Sequence, residues 1–269
     1  MNFHCITLFP EMIEQATSFG VVGQARKSGA VRVSAITPRE FTTNVHQTVD
    51  DRPFGGGDGM IMLAEPLTLA LAKVRTGIEG KPRVIHLSPR GRLLTDSLAR
   101  ELALEKDLVL IASRYGGVDQ RFLNECVDEE ISVGDYVLSG GELPALCLID
   151  AVSRHLPGVL GNDSSAQDES FANGAGLEHP QFTRPREWRG AKVPEGLLSG
   201  NHAKIEAWKR SLSLFVSLER RPDLVKPLDK KQWKEASEVL ASLSPEDISA
   251  CGLSDIACIR ERLQALKRP

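Results

Sequence analysis

No stretch of this 269-residue chain approaches the unbroken apolar length needed to span a bilayer, so no segment reads as a transmembrane helix. Residues 1–10 lack both a basic start and a long apolar run, which makes them a first strand and not a signal peptide. Cysteine is sparse: the five residues, at 5, 126, 147, 251 and 258, form no C-x-x-C pair, which argues against a disulfide framework or a zinc knuckle. The expected compartment is the reducing cytoplasm, with no membrane partner and no metal motif. There is no internal repeat, no G-x-x-x-x-G-K-[ST] to cradle phosphates, and no G-x-G-x-x-G between the first strand and a helix. A P-loop and a nicotinamide Rossmann site are thereby set aside. What remains is a nucleoside ligand of another kind, or none.

What the chain does contain is an uneven charge. The net charge of −3 hides an acidic residues 1–178 (16 Lys and Arg against 24 Asp and Glu), a basic 179–234 (13 against 6) and a mildly acidic 235–269 (4 against 6). A local positive stretch punctuated by Trp188, Trp208 and Trp233 suits a phosphate backbone. The plainer reading is a solvated helical face with buried tryptophans, and charge alone does not separate the two.

The chain is organised around Ser132–Asp150, an irregular apolar loop that runs into a buried helix. Gly140 and Gly141 are expected to take backbone angles closed to other residues, and Pro144, tolerated only in a first turn, is expected to start the helix. The free amide groups of that turn would face a polar ligand. An ordinary strand-to-helix turn would look the same, but two more polar, glycine-bearing loops follow strand-like runs: His86–Gly91 after Arg83–Leu87, and Ser113–Gly117 after Asp107–Ala112. In a parallel sheet such strand ends share the edge where open α/β sheets bind ligands.

Elsewhere, strands are predicted at Phe3–Phe9, Val31–Ile36, Arg83–Leu87 and Leu108–Ala112. Helices are predicted at Glu11–Thr17, Glu65–Val74, Thr95–Leu104 with Thr95 as N-cap, and Asp119–Cys126 capped by Asp119. This alternation, which ends near Pro157-Gly158, indicates a parallel sheet covered on both faces. Residues 50–60, with four glycines, form a surface loop that wraps a ligand or is mobile. Residues 161–176 are small and polar, a linker; residues 179–197 are loop-like and Pro-rich. Helical periods at Ala203–Leu218, Lys231–Leu243, Pro245–Cys251 and Leu253–Leu266 make the last third a small all-helical domain.

Seven blocks carry a resemblance: D-D-R-P-F-G-G-G-D-G-M (50–60), L-S-P-R-G-R (87–92), R-Y-G-G-V-D-Q-R (114–121), S-V-G-D-Y-V-L-S-G-G-E-L-P-A (132–145), P-G-V-L-G (157–161), T-R-P (183–185) and L-L-S-G-N-H-A-K-I (197–205). In order and spacing, from residue 1 to about 225, the chain resembles the bacterial tRNA (guanine-N1)-methyltransferases of the SPOUT superfamily. The βα alternation alone would have predicted an unknotted doubly wound sheet. The resemblance implies an α/β fold with a deep trefoil knot over residues 1–160, a linker at 161–176, and a helical tRNA-binding domain at 177–269. It further implies an obligate homodimer with a shared site, and methylation at the guanosine just 3′ of the anticodon. S-adenosyl-L-methionine would be held, mainly through backbone groups, by Leu87, Ser88, Ser113, Tyr115, Gly117, Ser132, Val133, Gly134, Asp135, Tyr136, Val137, Leu138, Gly140, Gly141 and Pro144. Asp50, Gly55, Gly59 and Arg184 would contact tRNA, and a Mg2+ dependence is implied without any protein metal motif.

Guanine N1 is protonated at neutral pH, so a base must remove its proton while charge on O6 is stabilised. The resemblance places Glu169 and Arg154 in those roles. Read on their own, Arg154 is a helix-end charge and Glu169 a solvated linker carboxylate. Two departures stand out: glutamate occupies a position usually aspartate, with Asp168 just before it, and Gly116 lacks a carboxylate expected to face the ligand, for which either Glu178 or Asp119 compensates or contacts to the methionine end are weaker. The alternatives are a knotted methyltransferase acting on another RNA base and an RNA-binding relative without catalysis.

Overall fold

Period-two burial in the central strand sets the architecture. Within Asp107–Ala112, Leu108, Leu110 and Ala112 join one apolar cluster while Val109 and Ile111 join another, and all are buried. A strand apolar on both faces needs a covering layer on each. The computed structural model, which describes residues 1–161, 169–172 and 176–267, contains both layers.

The first of two compact units, residues 1–166, runs β1 (Asn2–Thr7), α1 (Pro10–Ala16), α2 (Gly20–Ser28), β2 (Arg32–Ile36), β3 (Asp50–Asp51), β4 (Ile61–Met62), α3 (Ala64–Arg75), β5 (Arg83–Leu93), α4 (Asp96–Leu102), β6 (Asp107–Ala112), α5 (Gln120–Cys126), β7 (Glu129–Ser132) and α6 (Glu142–Ser153). Five strands pair in parallel in the order β2-β1-β6-β5-β7. Helices α1, α2, α4 and α6 cover one face through Ile13, Val22, Leu98 and Leu148, and α3 and α5 the other through Leu67, Leu71 and Phe122. Each such fully buried side chain contributes about 1.5–3 kcal/mol of transfer free energy. The predicted caps form: the Thr95 side chain accepts from the Leu98 amide, and Asp119 from that of Arg121.

Several elements depart from the sequence reading. Helix α6 begins at Glu142, not Pro144, which occupies its third position. Strand β5 continues past Leu87, because residues 88–91 bulge out and both Leu87 and Arg92 sit opposite Ile131. Strand β7, unpredicted because it carries two glutamates, is held by its charged neighbours: Glu129 pairs with Arg83 at 2.6 Å and Glu130 with His86 at 2.8 Å. Helix α2, also unpredicted, opens on one glycine and carries another, Gly23, where a Cβ would lie 2.3 Å from the Ser18 carbonyl oxygen. The glycine-rich loop at 50–60 is pinned at its base by the antiparallel β3–β4 pair.

The second unit, residues 167–269, contains β8 (Glu187–Trp188), β9 (Ala191–Lys192), α7 (Glu195–Leu198), α8 (His202–Arg220), α9 (Lys230–Ser242), α10 (Pro245–Ala250) and α11 (Ile256–Ala265). Its core comprises Trp208, Leu212, Phe215, Leu240, Ile259 and Leu263. Among the described residues five α-helices dominate, but the unit is not all-helical: the Pro-rich stretch holds a hairpin whose two turn residues, Arg189 and Gly190, take φ of 52° and 85°, the positive values a type I′ turn requires. Of the linker predicted at 161–176, residues 162–168 and 173–175, including Asp168, lie outside the described residues.

Candidate active site

Strands β6, β5 and β7 are neighbours in the sheet, so the loops that follow them share one edge. There they wall a cavity of about 550 Å³ lined by residues of all three loops and by Ile61, a size suited to a small-molecule ligand. The cavity takes its shape from close backbone approach. The Gly141 amide donates to the Ser113 carbonyl at 2.8 Å, Arg114 and Gly140 form an antiparallel bridge, and the Leu94 amide donates to the Ser132 carbonyl at 2.7 Å.

Glycine serves here for a reason other than the one expected. Gly141 has φ of −81°, open to any residue, and neither it nor Gly140 takes positive φ. What excludes a side chain is space: a Cβ on Gly141 would lie 2.7 Å from Ala112 Cα, and one on Gly140 2.3 Å from Arg114 Nε. Gly91, in the bulge of β5, presses on β7 in the same way, its Cβ position 2.3 Å from the Glu130 carbonyl carbon.

Two polar clusters, neither found from sequence, tie the loops together. Glu142, 1% exposed, lies 2.9 Å from Arg114 Nε and accepts the Thr7 hydroxyl at 2.7 Å. The Arg114 guanidinium also stacks 4.6 Å from the Phe9 ring centroid. A buried carboxylate is costly unless so paired, and here the pairing joins the ends of β1, β6 and the α6 loop. In the second cluster, the buried His86 has Nδ1 2.8 Å from Glu130 Oε1 and Nε2 2.9 Å from Ser113 Oγ. The chain's only two tyrosines, Tyr115 and Tyr136, both expected at the site, line the cavity.

Of the residues expected to hold cofactor, Leu87, Ser88, Ser113, Tyr115, Gly117, Ser132, Val133, Gly134, Tyr136, Val137, Leu138, Gly140, Gly141 and Pro144 line the cavity, whereas Asp135 does not. The 50–60 loop reaches it through its end: the Gly116 amide donates to the Met60 carbonyl and the Met62 amide to that of Gly117. Asp50 sits in β3, and Gly59 lines a separate shallow hollow with Arg52, Gly57, Asp58 and Met60; Gly55 lines neither. Asp119, offered as a substitute for a carboxylate at Gly116, is occupied by Arg121 at 2.6 Å. Arg154 follows the last residue of α6 in the first unit. Glu169, half-buried, Glu178 and the exposed Arg184 belong to the second.

In the basic stretch, Trp208 is buried, and Trp233 donates its indole N–H to the Leu263 carbonyl; only Trp188 is exposed, with Arg189 over its ring. Two of the three tryptophans are therefore core, as the plainer reading had it. No group of three or more metal-ligating side chains occurs among the described residues, and no helix among them is long and apolar enough to cross a membrane.

Residues 1–227 match the family model described as tRNA (guanine-1)-methyltransferase TrmD. The chain is 48% identical over 231 residues to a tRNA (guanine-N(1)-)-methyltransferase of Ruminiclostridium cellulolyticum, covering 86% of this chain and 99% of that protein. It is 52% identical over 225 residues to the protein of that name from Stutzerimonas stutzeri, covering 84% and 90%. With a model matching most of its length and relatives this similar, the chain belongs to the tRNA (guanine-1)-methyltransferase family.

Proposed function

We propose that this protein transfers the methyl group of S-adenosyl-L-methionine to N1 of a guanosine in tRNA, the guanosine immediately 3′ of the anticodon. The observation that carries the reading is the cavity walled by the three loops, in a chain whose family methylates guanine in tRNA. Its wall fits the cofactor: glycine backbone lies where a Cβ could not, polar backbone groups are close at hand, and two tyrosine rings flank the space. The interlocking of the Ser113–Gly117 and Ser132–Gly141 loops supports a trefoil knot at this edge.

When bound, S-adenosylmethionine supplies an electrophilic methyl group. The chain's own task is to make guanine N1 nucleophilic. We assign removal of the N1 proton to Glu169 and stabilisation of the charge on O6 to Arg154, with Asp50, Gly55, Gly59 and Arg184 toward the tRNA. Glu169 and Arg154 lie in different compact units, and we assign their meeting to a homodimer in which the partner copy completes the site. Mixing inactive Arg154→Ala chains with inactive Glu169→Ala chains should then restore activity, since one site of the mixed dimer is intact; no rescue in proven mixed dimers would place both residues in one subunit's site. The reaction itself is tested by single-turnover transfer of labelled methyl to a tRNA transcript. The expected product is 1-methylguanosine, lost when that guanosine is replaced by adenosine; transfer undiminished by the replacement would point to another base.

A further inference from the structure

Resting on that reading, we propose that Ser113 is a specificity-determining hydrogen-bond acceptor in the cofactor cavity, held in that role by His86 and Glu130 as positioning residues. The chain of contacts is short and comes from three neighbouring strands. Glu130 Oε1 on β7 lies 2.8 Å from His86 Nδ1 on β5, and His86 Nε2 lies 2.9 Å from Ser113 Oγ just after β6. Both His86 and Ser113 line the cavity, and both are at least nine-tenths buried.

The direction of the protons follows from what each group can do. An ionised carboxylate only accepts, so Nδ1 of His86 carries the hydrogen. A neutral imidazole then has a bare Nε2, which accepts the Ser113 hydroxyl proton. With its proton committed, Ser113 Oγ has only lone pairs for the cavity. It receives an N–H or O–H of the ligand and repels a ligand acceptor. S-adenosylmethionine offers three such donors: the α-ammonium group, the 6-amino group of adenine and the ribose hydroxyls.

The groups around the imidazole favour this state. Burial lowers the His86 pKa, the Glu130 contact opposes the drop, and the Arg90 charge adds to it, leaving the value below the ordinary one for histidine. Burial raises the Glu130 pKa, but hydrogen bonds from His86 and Arg90 outweigh it, so Glu130 is ionised at neutral pH. Arg90 stands 3.2 Å from Glu130, and the neutral Gln120 of α5 stands 3.4 Å from Arg90. Protonation of His86 would reverse the chain: Nε2–H would donate to Ser113, whose own proton would turn toward the ligand donor. Affinity should therefore weaken as pH falls through the lowered pKa of His86.

The test is calorimetric binding of S-adenosylhomocysteine between pH 5.5 and 8 to wild type, Ser113→Ala and Glu130→Gln. One hydrogen bond is at stake, so Ser113→Ala should bind about two- to tenfold more weakly at pH 7.5 and lose the decline at low pH. Glu130→Gln, which no longer fixes the tautomer, should alter the pH profile while Ser113 remains. Analogues locate the donor: the Ser113→Ala penalty should vanish with 5′-methylthioadenosine if the amino acid end meets Ser113, with the 6-deaminated analogue if adenine does, and with neither if the ribose does. Imidazole nitrogen NMR of the wild type gives a second readout, with His86 protonated on Nδ1 alone at pH 7.5. Wild-type affinity and an unchanged pH profile in Ser113→Ala, or a proton on Nε2, would overturn the inference and leave the cofactor site standing. Absence of binding to the wild type would instead remove the proposed function and this inference with it.

Discussion

Two sets of glycines in the same unit, those of the 53–59 loop and the trio Gly91, Gly140 and Gly141, use glycine for opposite reasons. In the loop at 53–59, Gly55, Gly56, Gly57 and Gly59 all take positive φ, and a Cβ on any of them would meet nothing within 4 Å. Where the loops after β5, β6 and β7 press on neighbouring chain, Gly91, Gly140 and Gly141 do not take positive φ, but a Cβ there would lie 2.3–2.7 Å from neighbouring atoms; Gly117 and Gly134 on the cavity wall do take positive φ, 112° and 154°. The first region needs glycine for its shape and has open space around it. Gly91, Gly140 and Gly141 need it because two chain segments touch. A packed wall of that kind cannot adjust to a side chain without moving a strand end, whereas an open loop can.

The difference can be broken by substitution. Gly141→Val or Gly140→Val should abolish S-adenosylhomocysteine binding in calorimetry, because added bulk displaces Ala112 or the Arg114–Glu142 pair; wild-type affinity in both would refute the placement of the cofactor. Next in size is the chemical step: Glu169→Gln should slow single-turnover methylation by about a hundred- to ten-thousandfold with cofactor binding kept, while Asp168→Asn stays within a few fold. A larger loss in Asp168→Asn would move the base one residue upstream. Gly56→Ala, at φ of 78°, should cost about 1–2 kcal/mol of local backbone strain. Its readout is a weaker apparent tRNA affinity at unchanged S-adenosylhomocysteine affinity, and a loss of cofactor binding there would erase the contrast. The smallest effect lies at the cap of α5, where side-chain hydrogen bonds from Arg121 hold the Asp119 carboxyl at about 2, below its ordinary 3.8. A carboxyl depressed on folding contributes stability above its unfolded pKa and loses it as pH falls toward its folded one. Thermal melts of wild type and Asp119→Asn should therefore differ slightly at pH 5 and converge between about 4 and 2.

How much could be read in advance depended on whether the signal was local. Thr95 and Asp119 were legible as caps because a cap acts within three residues. That three loops gather at one edge was legible because each joins a strand-like run to polar and glycine residues, and the parallel pairing brings such ends together. Glu142 was not, because nothing nearby in sequence marks a carboxylate as buried; its partners are Thr7, on β1, and Arg114, in the loop after β6. The Glu130, His86 and Ser113 cluster was hidden for the same reason, since it exists only once β6, β5 and β7 are adjacent. The reason for Gly140 and Gly141 was misread because positive φ is the usual warrant for glycine, and close approach leaves no mark in the sequence.

The proposal places the cofactor against the backbone of these three loops and not against the open glycine loop. Amide hydrogen exchange of the intact protein with and without S-adenosylhomocysteine measures that segment by segment. Added protection is expected over residues 87–91, 113–117 and 132–141, with none over 53–59. Protection centred on 53–59, or absent from the three loops while the ligand is bound, would contradict it.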